Sequence, residues 1–129
     1  MTREGLRASD VVQKRELIGR LSDKEIVAIA QHFSQLPVRS GATQAVTNQF
    51  ERGRLLAGKL HCGSCHLPDY HGREQMPRLA GQREEYLAAT MRAYRDKPRA
   101  GGDTIMTAAV YGLPDSDINA LAHYLARLR

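Results

Sequence analysis

The only two cysteines of this chain lie in the stretch KLHCGSCHLPDY, residues 59–70, as Cys62 and Cys65. His61 precedes the first and His66 follows the second. Two thiols at this spacing can serve as a disulfide, a redox dithiol, half of a zinc site or a covalent anchor for a porphyrin. A disulfide here closes a very short loop and removes little entropy from the unfolded chain, so it is a poor staple. A thioredoxin-like redox pair expects a βαβ setting, and no alternating apolar pattern supplies one. A structural zinc needs four converging ligands. Adjacent side chains such as His61 and Cys62 diverge, and no second Cys/His cluster follows.

Cys-x-x-Cys-His suits the fourth reading. The thiols of Cys62 and Cys65 add across the two vinyl groups of a haem, and His66 is then placed to ligate the iron. Gly63 and Ser64 between them are small enough to lie against the ring edge. A bound haem also answers a shortage in the composition. Aromatic residues make up 5% of the 129 residues and Trp is absent, so an all-protein core is thin. His61 reads as incidental, and His32, His71 and His123 as surface or half-buried positions.

A methionine opposite His66 would raise the potential and close the iron to small ligands. Met106 follows the flexible stretch RAGGDTI, which can cross to the far face, and it is the expected sixth ligand. Met76 lies in the loop expected to wrap the His66 side, and Met91 reads as a core gap-filler.

The elements around these residues read as all-helical. SDKEIVAIAQHFSQL, residues 22–36, opens with Ser22 as N-cap and Glu25 three positions on, a capping box. Ile26, Ile29, Ala30 and Phe33 form one apolar face, and Pro37 stops the helix. Residues 37–48 are polar and aperiodic and read as a linker. A helix over about 49–60, with Phe50, Gly53, Leu56, Ala57 and Leu60, runs into Cys62. Residues 67–82 are loop-like. A third helix is expected over about 83–96 and carries Tyr86, Leu87, Thr90 and Tyr94. A short one follows over 104–111, and a last one over about 115–128 carries Ile118, Leu121, Ala122 and Leu125.

The chain also repeats itself. KRELIGRLSDKEIVAIAQHFS (14–34) set over MTAAVYGLPDSDINALAHYLA (106–126) places Leu21, Asp23, Ile26, Ala28 and Ala30 on Leu113, Asp115, Ile118, Ala120 and Ala122. Residues 1–36 thus read as a partial copy of the following domain. That copy lacks a cysteine pair and carries Lys14 where the other has Met106, so it holds no haem. The expected organisation is a haem-less helical segment (1–36), a linker (37–48) and a haem domain (49–129).

The formal net charge is +5. It is diffuse, with no Lys/Arg run longer than two, which argues against nucleic acid and for an acidic protein partner. No apolar run approaches the roughly 20 residues of a transmembrane helix, and residues 1–20 carry no apolar core of a signal peptide.

At these motifs the sequence resembles the class I cytochromes c, in particular the cytochrome c4 type with two such domains in tandem. The resemblance covers about residues 49–129 and, weakly, 14–36. PRLAGQREEYLAATMRAYR adds to the haem motif, since the family shows a similar Pro-x-Leu-x-Gly-Gln…Tyr-Leu segment. The resemblance implies a cytochrome c fold around one covalent haem c. It implies that the Pro77 carbonyl accepts the hydrogen bond of His66 Nδ1–H, that Met106 is the distal ligand, and that Gly53 lets its helix cross close to Leu121 and Tyr124. Tyr94 and Arg99 are candidate propionate contacts. The family usually has glycine after the histidine and a glycine-rich turn beyond. Here Leu67 and Tyr70 stand in two of those places.

The implied function is one-electron transfer, as a free carrier or as the cytochrome subunit of a larger redox enzyme, with no catalysis by the chain alone. An open-site catalytic or gas-binding haem is the alternative. Lys59, Arg73, Arg78, Arg83, Lys97 and Arg99 flank the expected pocket and could steer a redox partner with an acidic face. Haem attachment of this kind belongs to an exported compartment in bacteria, so the expected location is the periplasm, with any leader removed or left out of this sequence.

Overall fold

Capping and apolar spacing decide where each helix begins and which side it buries. A computed structural model describes residues 12–97 and 104–129, and the chain divides into two units at the Pro37–Val38 boundary. In the first unit, residues 12–19 form α1 and Asp23–Ser34 form α2. The capping box before α2 is present: Glu25 N–H donates to Ser22 Oγ at 3.2 Å, and Ser22 N–H donates to Glu25 Oε2 at 3.0 Å. Two of the orphan donors at the helix start are thereby satisfied. The expected apolar face on α2 exists, yet none of its residues is buried.

The second unit holds α3 (Thr47–Lys59), α4 (Cys62–His66), α5 (Glu84–Asp96), α6 (Thr104–Ala109) and α7 (Asp115–Ala126). Among the described residues there is no strand, only an isolated bridge between Arg73 and Met76. No described helix is long and apolar enough to cross a membrane. The core is the packing of α3 and α5 on α7, built from Ala57, Leu87, Ala88, Met91, Val110, Ile118, Leu121, Ala122, Leu125 and Ala126. Met91 is the core residue its position suggested. Tyr86 points outward and is 59% exposed; Leu87, Ala88 and Met91 carry the buried stripe of α5.

α3 and α7 cross at Gly53. A Cβ there would lie 2.6 Å from Tyr124 Cβ and closer still to the Ala120 carbonyl oxygen, so only glycine admits this approach. Phe50 and Tyr70 each meet the Tyr124 ring edge-to-face, with centroids 5.0 and 6.0 Å apart.

The segment before α3 has no regular structure but is fastened along α7. Ser40 Oγ donates to Ala126 O at 2.7 Å, and Arg127 Nε donates to Thr43 O at 3.0 Å. Val46 N–H donates to His123 Nε2 at 2.9 Å. His123 is therefore not a surface or half-buried position. It is 4% exposed, and with Nε2 accepting, its Nδ1–H faces Glu84 Oε1 at 3.1 Å. Glu84 also accepts from Arg127 Nη1 at 2.7 Å.

Candidate haem attachment site

α3 ends at Lys59, and the chain turns through His61 in the left-handed region (φ 57°) before α4 takes up the whole Cys-Gly-Ser-Cys-His motif. One helical turn places Cys62 and Cys65 at i and i+3, on the same side. The two thiols are not joined to each other. Cys65 is exposed, and Cys62 is half-buried, packed against the core. Burial pushes the Cys62 thiol up, and a backbone hydrogen bond offsets that only in part.

His66 closes the motif and is buried, 5% exposed. Its Nδ1 lies 2.8 Å from the Pro77 carbonyl oxygen. A carbonyl only accepts, so Nδ1 carries the proton and Nε2 keeps its lone pair, the tautomer an axial ligand requires.

The loop that brings Pro77 there is held at several points. Gly72, at φ 70°, donates its N–H to His66 O at 3.0 Å. A Cβ on Gly72 would meet the Pro77 carbonyl carbon at 2.6 Å. Arg73 and Met76 exchange backbone hydrogen bonds of 2.9 and 2.8 Å, making the tight turn that delivers Pro77. Tyr70 O accepts from both Leu79 N–H (2.9 Å) and Ala80 N–H (3.0 Å).

Leu67 and Tyr70, which stand where glycine is usual, both have positive φ, 71° and 59°. At ψ 157° Leu67 lies in a region that is otherwise nearly glycine's alone. Sequence reasoning noted the two replacements but not that the backbone keeps the glycine conformation with a side chain in place.

Among the other expected site residues, Tyr94 is half-buried against the core. Met106 lies on α6, half-buried and packed on that same core. Met76 has its backbone tied into the Arg73 turn next to Pro77, which places it with the loop that meets Nδ1 of His66. Arg99 lies outside the described residues. Lys59, Arg73, Arg83 and Lys97 are exposed, while Arg78 is half-buried, its Nε donating to Ala80 O at 2.9 Å. A surface hollow of about 530 Å³ lies between α3 and the start of α7 and is lined by Asn48, Arg52, Leu55, Lys59 and Asp117 among others.

An all-helical unit with both thiols on one helical turn, and a buried histidine whose Nδ1–H is fixed on a proline carbonyl, defines a covalent haem protein. The cytochrome c family model matches residues 50–129, and the chain belongs to that family. The family implies one covalently attached haem c, and Cys62 and Cys65 fit its Cys-x-x-Cys-His motif. The chain is 28% identical over 127 residues to cytochrome c4 of Azotobacter vinelandii, covering 92% of this chain and 60% of that protein. It is 29% identical over 136 aligned positions to a thiosulfate dehydrogenase electron acceptor of Stutzerimonas stutzeri, covering 98% and 62%. Among solved structures, reduced recombinant cytochrome c4 from Pseudomonas stutzeri superposes with a TM-score of 0.70 at 31% identity, over 88% of this chain and 64% of that one. The chain thus spans about three fifths of the length of these relatives.

Proposed function

We propose that the chain transfers single electrons through one haem c held by thioether bonds at Cys62 and Cys65, with His66 and Met106 as axial ligands. The observation that carries this reading is the buried His66 with Nδ1–H on the Pro77 carbonyl at 2.8 Å, directly after the thiol pair. When bound, the haem supplies the ferrous/ferric couple, and the chain does no bond chemistry of its own. His66 donates Nε2, Pro77 fixes its ring, and the α3–α5–α7 core keeps water from one side. Met106 is favoured over Met76 because Met76 is committed to the turn on the Nδ1 side of His66, whereas Met106 comes from a separate element.

The chain by itself is a carrier or an electron-transfer subunit, not an enzyme. The likeness to an electron acceptor of thiosulfate dehydrogenase supports a redox enzyme as donor. Exposed Lys59, Arg73, Arg83 and Lys97 suit an acidic docking face. Tyr94, with Arg99, is proposed toward the propionates. Residues 1–36 are read as a haem-less partial copy, and the location as periplasmic, in keeping with covalent haem attachment.

The test is the visible spectrum of the haem-loaded protein, oxidised and reduced, with and without carbon monoxide. A low-spin spectrum unchanged by carbon monoxide is expected, and Met106→Ala should open the iron to carbon monoxide. A native protein that binds carbon monoxide overturns Met106 ligation and turns the reading to an open-site haem.

A further inference from the structure

Arg95, near the end of α5, reaches across to the segment that carries Met106. Its side chain is 19% exposed. Asp96 accepts from Nε at 2.6 Å and from Nη2 at 2.8 Å, and so fixes the plane of the guanidinium. Nη1 is then aimed at the turn between α6 and α7. There it donates to Leu113 O at 2.8 Å and meets Asp115 Oδ1 at 2.8 Å. Backbone bonds run from this turn back to Met106. Leu113 N–H donates to Val110 O at 3.2 Å, and Val110 N–H donates to Met106 O at 3.1 Å. Val110, 4% exposed, anchors the middle of this ladder in the core, and Arg95 holds its outer end. Arg92 lies one turn earlier on α5 and bonds to Asp115 and Asn119, both on α7. It ties helix to helix, whereas Arg95 holds the turn as well.

We propose that Arg95 is a positioning residue for the sixth ligand: by holding Leu113 O it keeps residues 106–113 in place and so keeps the Met106 sulfur on the iron. That role rests on Met106 being the distal ligand. The part-buried bond to Leu113 O matters more here than the pair with Asp115, whose side chain is 63% exposed. A thioether sulfur donates its lone pair weakly, so the hold on its segment decides how often the iron lies open. An external ligand enters only while the sulfur is away, and its apparent affinity scales with that open fraction. Loss of one charge-assisted hydrogen bond shifts such an equilibrium by roughly tenfold.

The experiment titrates imidazole into the haem-loaded ferric chain, followed by the visible spectrum, with amide hydrogen exchange at Val110 and Leu113 as a second readout. Arg95→Gln should tighten imidazole binding roughly tenfold and speed exchange at both amides. Arg95→Lys keeps the charge but loses the fork, and should move both readouts the same way by a smaller factor. It serves in place of Arg95→Gln if that variant does not fold. Arg92→Gln should stay within about twofold of the parent, and Met106→Ala should bind imidazole more tightly than any of these. Arg95 variants that bind imidazole like the parent, while M106A binds it more tightly, overturn the proposal and leave Met106 as the ligand. Unchanged exchange at Val110 and Leu113 overturns it too. So does an R92Q that matches R95Q, because any loosening of α5 from α7 would then suffice. An M106A that binds imidazole no more tightly than the parent overturns Met106 ligation itself, and the role of Arg95 with it.

Discussion

The carbonyl oxygen of Pro77 and Nδ1 of His66 lie 2.8 Å apart, and Gly72 is the residue that lets them meet. Its N–H holds His66 O, and its missing Cβ leaves room for the Pro77 backbone. Alanine at 72 would press on the Met76 carbonyl oxygen and on the Pro77–Arg78 peptide, 2.6 Å from the Pro77 carbonyl carbon and 2.7 Å from Arg78 N, at a φ that alanine disfavours. The loop must shift and the hydrogen bond must lengthen. A histidine that loses this acceptor is a less basic ligand and stabilises ferric iron less. Gly72→Ala should therefore raise the midpoint potential by tens of millivolts, about 59 mV for each tenfold loss of ferric preference. Gly58→Ala, at a position with open space around it, should leave the potential in place. An unchanged potential in the Gly72 variant would detach Pro77 from the tuning of His66.

Leu67 carries strain next to His66. Its backbone at φ 71°, ψ 157° costs a side-chain-bearing residue on the order of 1–3 kcal/mol. Leu67→Gly removes that cost, and Leu67→Ala does not, although both lose the half-buried side chain. The glycine variant should thus melt above the alanine variant by roughly 4–8 °C for each kcal/mol recovered, the reverse of the usual order for the two residues. Paired thermal melts of the haem-loaded proteins decide it. Equal melting temperatures, or alanine above glycine, would mean that the backbone here relaxes freely.

What could be read from the sequence was local. The motif from Cys62 to His66 carries its chemistry in its own spacing, and the apolar period located α3, α5 and α7 to within a few residues. The repeat in residues 14–34 was equally open to inspection. Other features depend on contacts far apart in the chain. His123 gained its buried place from Val46 and Glu84, which lie on other elements, and the irregular segment before α3 is fastened by Ser40 and Thr43 hydroxyl and carbonyl groups to α7. No local pattern announces such pairings. Tyr86 shows a different limit. It fits the period of α5 nearly as well as Leu87, and only the position of α7 decides which of the two turns inward.

The α3–α7 crossing makes a stability prediction of its own. Gly53 faces a backbone carbonyl and the first side-chain carbon of Tyr124, neither of which can swing away. Inserting one methyl group there should separate the helices and cost about 2–3 kcal/mol, at the upper end of overpacking. Gly53→Ala should lower the melting temperature by roughly 10 °C or more, whereas Gly58→Ala on the same helix should be neutral or stabilising. A Gly53 variant that melts with the parent would show that the crossing is looser than its geometry.

Acid should unfasten α5 from α7. Arg95 lies 2.8 Å from Asp115 and 2.6 Å from Asp96. Its hydrogen bonds, with Arg92 adding to Asp115, hold both carboxyls below their ordinary 3.8. Burial pushes the Glu84 carboxyl up, but the hydrogen bonds of Arg127 and then His123 outweigh it, and it sits below its ordinary 4.5. A carboxyl depressed in the folded state binds protons more readily when unfolded. Its contribution is therefore complete above the ordinary value and is lost as pH falls through the folded one. The melting temperature should hold level from neutral pH down to about pH 5 and fall below about pH 4. Arg95→Gln should melt lower than the parent at pH 7 and show a shallower acid decline, so that the two curves converge at low pH. Curves that stay parallel from pH 7 to about pH 3 would separate Arg95 from the acid response and leave it to other groups.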